Sequence, residues 1–478
     1  MNIVSKERFK TILLLSLVCL SLYLVTKVWV EFPYGTSFDF LEEEIKELES
    51  YLSIDLIRPN KYLVNFNEDS HTIFYSDIDN NLWTTAYSSL ASILSSDEVE
   101  TEEISKEEYI SYHDKRSIVF YFPEQFNVYI LARFIDVPQP NDIVEKIQEV
   151  DSIYFHLGND EPFLILSKED FHLKIFEPTI KLEALKSKIS AMENIGNITY
   201  YYPMRDTVDV NNNIYIPVKM SKSIPVVYVE NEINTDNIED LRNIAELFFQ
   251  KDIDYIREIV ENNGSVIYLH DDKVLKINYR GFLEYIAPLE ETVNERNLYI
   301  SLVTASDFLF SNLALPKNLY LSKIEEIESG ENLGYRFTFK YRIGGLPVIL
   351  KSDVVEDFIQ LEVFNKYVTN YKRFIRRQMD GTYDAMDNRV MLSAYDIINM
   401  NYELIRQDHI AKYNIQDEDE EFIKKEILSR IEDIYIAYVD PCENKTGERL
   451  IGVWILKMED YIYAFDVYNG NLVVKKEQ

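Results

Sequence analysis

The sequence predicts an α+β protein: one N-terminal transmembrane helix, then a multi-domain exported part in which antiparallel sheets are each packed with helices. Three observations carry that prediction. A 20-residue apolar run, Thr11–Val30, stands near the start of the chain. Short period-2 apolar runs dominate the remainder, interrupted by segments of helical period. Towards the C-terminus the order of one helix and then several strands recurs.

At about 1.5 Å of rise per residue, a helix over Thr11–Val30 spans the roughly 30 Å hydrocarbon core of a bilayer. Its one charge, Lys27, stands close enough to an end for the ammonium to reach the headgroups. Trp29 comes next in the interfacial belt. Lys6, Arg8 and Lys10 precede the run, and Glu31, Asp39, Glu42, Glu43 and Glu44 come after it. That asymmetry predicts a cytoplasmic N-terminus over residues 1–10 and an extracytoplasmic remainder, a single-pass protein of the cell membrane. A cleaved signal would need an Ala-x-Ala-like site after the run, and TKVWVEFPYG offers none. Ser16-Leu17-Val18 before Cys19 lacks the small residue that lipid attachment wants next to the cysteine.

Inside the span, Ser16, Cys19, Tyr23 and Thr26 fall at i, i+3, i+7 and i+10, on one helical face. Small and hydroxyl-bearing residues let a neighbouring helix approach and bond, so this stripe is the expected transmembrane helix interface. The alternative is that its hydroxyls bond their own backbone.

Beyond the anchor, the length suggests two to four domains. The expected boundaries are an N-terminal extracytoplasmic domain over 31–178, a central one over 179–290 and a C-terminal one over 291–478. With a net charge of −33, the chain repels nucleic acid and anionic lipid surfaces. Glycine numbers only 13 and forms no phosphate-cradling loop. Of the two cysteines, Cys19 lies in the span and only Cys442 outside it, so no disulfide can staple the exported part. That usage suits the surface of a Gram-positive bacterium.

The elements run in this order. SFDFLEEEIKELESYL places Leu41, Ile45, Leu48 and Leu52 on one helical face. KYLVNF (61–66), HTIFYS (71–76) and RSIVFYF (116–122) read as strands, with a helix over 82–96. VDSIYFHL, PFLILS and FHLKIF form an expected three-strand meander ended by Pro178. Then come three units of helix plus strands. Their helices are IEDLRNIAELFF (238–249, with a second helix after it), RNLYISLVTASDFLFSNL (296–313) and LSAYDIINMNYELI (392–405, then a charged helix). The last strands of the second and third units, LEVFNKYV (361–368) and FDVYNGNLV (465–473), share the order acid, Val, aromatic, Asn.

Catalytic patterns do not emerge. None of the six histidines has metal-ligand spacing, and His270-Asp271-Asp272 reads as a turn between strands. DIDNN (77–81) starts like a calcium loop, but Leu82 and Ser88 stand where glycine and glutamate belong. No nucleophile motif is present, and no cofactor or metal is expected. Carboxylate pairs among 82 acids leave a wall-active enzyme as an alternative, beside a ligand-binding sensor module.

The anchor, the acidic disulfide-free exterior and four stretches resemble the YycH (WalH) family. These are DDKVLKINYRGFLEYIAPLEE (271–291), YRFTFKYRIGGLPVIL (335–350), LSAYDIIN (392–399) and IAYVDPCENKTGERLIGVWILK (436–457). The resemblance implies an accessory, non-enzymatic regulator of the WalK/WalR two-component system, which controls cell-wall metabolism. It also implies a YycI-type membrane partner, resembling the C-terminal part of this chain, and contacts with the WalK-type sensor histidine kinase through transmembrane helices.

Overall fold

The computed structural model describes residues 57–75, 81–177, 180–195, 198–208, 210–217, 223–316, 318–351, 357–379, 389–413 and 419–477. They belong to one compact unit, Ser53–Gln478. The expected span at 11–30, with Ser16, Cys19, Tyr23 and Thr26, lies outside the described residues, as does the amphipathic segment after it. Among the described residues no helix is long and apolar enough to cross a membrane.

The architecture is mixed α+β, with sheets built almost entirely of antiparallel strands. Among the described residues the first sheet has nine strands and runs from Glu100–Ile104 at one edge to Tyr215–Pro217 at the other. Glu149–His156, Phe163–Lys168 and Phe171–Phe176 pair in succession as the expected meander. Lys61–Asn67 lies between Ser70–Phe74 and Ser117–Asn127, with Leu63 opposite both Ile73 and Val119. The helix Leu82–Ser95 covers one face, burying Leu82, Trp83, Ala86, Leu90 and Ile93. The Trp83 ring meets Phe120 and Phe122 at 5.3 and 5.4 Å. Burying each such side chain contributes about 1.5–3 kcal/mol, which is why the helical spacing of these residues fixes which side faces the sheet.

Among the described residues the second sheet has 13 strands, from Arg257–Val260 to Leu472–Glu477. Gly344 and Gly345, at φ 57° and 81°, turn Asn332–Ile343 back into Leu346–Leu350, a two-residue hairpin that demands left-handed backbone. Leu346–Leu350 then pairs in parallel with Ile431–Asp440, placing Val348 beside Tyr438. That junction joins the strands of the second unit to those of the third.

Both look-alike hairpins hold a helix by their turns. Asn365, at φ 51°, accepts from the backbone N–H of Asn297 at 2.8 Å and donates to the Glu295 carbonyl at 2.9 Å. This fixes the start of helix Leu298–Asn312, which Asn297 itself caps. In the third unit Asn401 donates to the Gly470 carbonyl at 2.9 Å.

Two details differ from the sequence reading. The segment 392–405 is not one helix: Ala394–Met400 and Tyr402–Tyr413 break at Asn401, whose side chain is drawn to the Gly470 turn. The second helix after Phe249 is only a 3-10 turn, Ile253–Tyr255, because the chain enters strand Arg257–Val260 at once.

Candidate functional site

The four residues expected to form the interface, Ser16, Cys19, Tyr23 and Thr26, lie outside the described residues. Alternation along Asn332–Ile343 puts the odd-numbered Phe337, Phe339 and Tyr341 in the core. The even-numbered Lys340 and Arg342 therefore share the opposite face. That face opens into a crevice of about 430 Å³ between the two sheets.

The floor of the crevice comes from register in the second sheet. Tyr435 pairs with Ile455, Ile455 with Ala464, and Ala464 with Val474, giving one row across four strands. The adjacent row is Asp433, Lys457, Ile462 and Lys476. The opposite wall belongs to the first sheet and includes Lys61, Tyr75 and Tyr121. Side-chain contacts tie the walls together. Lys61 donates to Asp433 at 2.8 Å, and the Tyr75 and Tyr435 rings meet at 5.6 Å.

Arg342 is the unusual member. It is 6% exposed, and its guanidinium lies over the Tyr320 ring at 3.8 Å. Nη2 donates to the Asn60 carbonyl at 3.2 Å, while Nε has no hydrogen-bond partner. Burial pulls this guanidinium below its ordinary pKa, an effect that Tyr320 and Tyr62 oppose. Among the described residues, no carboxylate lies within ion-pair distance of Arg342 or Lys340. Among the described residues, the acids that line the crevice are Asp433, held by Lys61, and Asp357. Chemically, the arrangement offers buried and half-buried cations beside an apolar floor, able to hold an oxyanion by charge-assisted hydrogen bonds.

A second cluster is absent from the sequence reading. His71, His113, His156 and His172 are all buried on one face of the nine-stranded sheet. His172 stacks on Tyr109 at 4.1 Å, and His156 on Phe163 at 4.6 Å. These histidines come from separate elements, so only strand pairing brings them together. Among the described residues no group of three His, Cys, Asp or Glu is placed to hold a metal. His270 and Asp271 form the expected turn, with Asp271 at φ 49° and His270 paired to Lys273.

No family model matches the chain, and no curated protein matches its sequence. Solved structures offer weak likenesses. An uncharacterized protein from Eubacterium rectale is similar over 55% of this chain and 86% of its own, at 12% identity and a TM-score of 0.28. The C-terminal domain of YpeB from Bacillus megaterium is similar over 50% of this chain and 97% of its own, at 11% identity and a TM-score of 0.24.

Proposed function

We propose that this chain is a membrane-anchored, non-enzymatic regulator of a sensor histidine kinase of the WalK type. In this reading it acts with a YycI-type partner through transmembrane helix and extracytoplasmic contacts, and so adjusts cell-wall metabolism. One observation carries the reading: an apolar segment without a cleavage site, with basic residues before it and acidic residues after it, bearing the stripe Ser16, Cys19, Tyr23 and Thr26. The four YycH-like stretches supply the kinase and the partner. The test is crosslinking in native membranes from photoreactive residues at positions 16 to 26, with the captured proteins identified. Capture of a kinase and a second single-pass protein, weakened by Ser16→Leu with Cys19→Leu, is the expected result. Capture of lipid alone, or a mature chain shed into the medium, sinks the reading.

A second reading, an extracytoplasmic ligand-binding sensor module, is favoured by the crevice around Arg342 and is compatible with the first.

A further inference from the structure

We propose that the crevice between the two sheets binds an anionic amphiphile, a molecule with an oxyanion head and an aliphatic body. The proposal rests on the ligand-binding reading and assigns its ligand class.

Arg342 assigns the head. Arg373 and Arg376, also buried, each hold an acid, Glu232 at 2.7 Å and Glu448 at 3.1 Å. Arg342 has no such partner among the described residues, and its Nε points its proton at nothing. A guanidinium withdrawn from water without a counter-charge is costly, and an oxyanion seated against it in the crevice it lines removes that cost. Lys340 stands two residues away on the same strand face, and Lys476 donates to the Leu350 carbonyl at 3.4 Å. In a chain of net charge −33, cations gathered around one opening focus an anion there.

The body is assigned by the floor. The row Tyr435, Ile455, Ala464 and Val474 is apolar apart from one phenol. The volume of about 430 Å³ falls in the range of small-molecule pockets. A peptide fits less well. The floor strands Ile451–Met458 and Tyr461–Asp466 are each paired on both sides, so they offer no free edge for an added strand.

The test uses the full chain in lipid nanodiscs and decyl phosphate carrying a diazirine on its alkyl chain, with labelled peptides mapped by mass spectrometry. Saturable labelling of peptides containing Ile455 or Val474 is expected, competed by unlabelled decyl phosphate. Arg342→Met should weaken it roughly tenfold or more, as loss of one charge-assisted bond does. Lys340→Gln, at a half-buried position, guards against a folding defect and should weaken it too. If inorganic phosphate competes as well as decyl phosphate, a ligand site stands but the amphiphile does not. If decanol competes as well, the charged head is wrong. If labelling falls elsewhere or ignores both variants, the ligand-binding reading fails with the proposal.

Discussion

Arg373 grips Glu232 through two parallel hydrogen bonds, Nε to Oε2 at 2.7 Å and Nη2 to Oε1 at 2.8 Å, across 141 positions of sequence. The arginine is fully buried and the glutamate is 7% exposed. Arg373 Nη1 also donates to the Tyr371 hydroxyl at 3.1 Å. The pair ties the segment before helix Ile238–Phe249 to strand Tyr367–Arg373 of the large sheet. Glu232→Gln leaves a dry guanidinium without its counter-charge and should cost about 3–5 kcal/mol. The double change Glu232→Leu with Arg373→Met removes both charges and should recover most of that loss. Urea denaturation of the three proteins measures it. A Glu232→Gln variant as stable as the parent would refute the account.

Gly334 leaves no room for a side chain against the neighbouring strand. A Cβ built there lies 2.6 Å from the Val363 carbonyl oxygen and 2.7 Å from Cδ1 of Phe364. The backbone of a paired strand cannot retreat without breaking its ladder, so Gly334→Ala should cost about 1–3 kcal/mol. A lower thermal midpoint, with unchanged circular dichroism at room temperature, is the expected observation. An unchanged midpoint would show that the strands can part at no cost.

Legibility tracks the range of the interactions. Strand Lys61–Asn67 and helix Ile238–Phe249 stand close to where periodicity puts them, because period is local and their buried residues repeat it. The break at Asn401 is invisible in the sequence because its cause is Gly470, 69 residues away. Arg342 is hidden for a related reason. A cation alternating with core residues reads as solvent-facing, and the groups that meet this one, the Tyr320 ring and the Asn60 carbonyl of the opposite wall, are brought to it only by the fold. The histidine cluster likewise needs the strand order of the nine-stranded sheet, which no local pattern encodes.

The contrast between buried arginines gives a stability prediction separate from binding. Arg373 is matched to an acid, whereas among the described residues Arg342 is held by Tyr320 and the Asn60 carbonyl. Replacing an unmatched buried cation by an apolar side chain of similar length removes a desolvation cost while losing one hydrogen bond and a ring contact. Arg342→Met should therefore stay within about 1 kcal/mol of the parent, far from the loss at Glu232→Gln. Denaturation in the absence of added amphiphile reads this directly. A loss of several kcal/mol would mean that Arg342 serves the fold rather than a ligand.

The histidine face predicts how the protein responds to acid. Burial drives the His113 imidazole down to about 3, and the charges of His71, Arg205 and His172 push the same way. His71, His156 and His172 are each lowered by burial first. Asp114 and Asp206 oppose this at His71, Asp160 at His156, and Asp151 and Asp170 at His172. In the unfolded chain these rings titrate near their ordinary value of about 6.5. Below that pH the unfolded state binds protons that the folded state refuses. The contribution is therefore complete above about pH 7 and is lost progressively as pH falls through about 6.5 towards about 3. His113 alone should remove about 2 kcal/mol between about pH 6.5 and about pH 5. His113→Phe keeps a ring against Tyr109, which it meets at 4.9 Å, but cannot take up a proton. Its urea midpoint should fall less than the parent's over that interval, with the two converging in slope above about pH 7. Equal slopes for the two proteins across the acid interval would show that this ring is not held neutral by the fold.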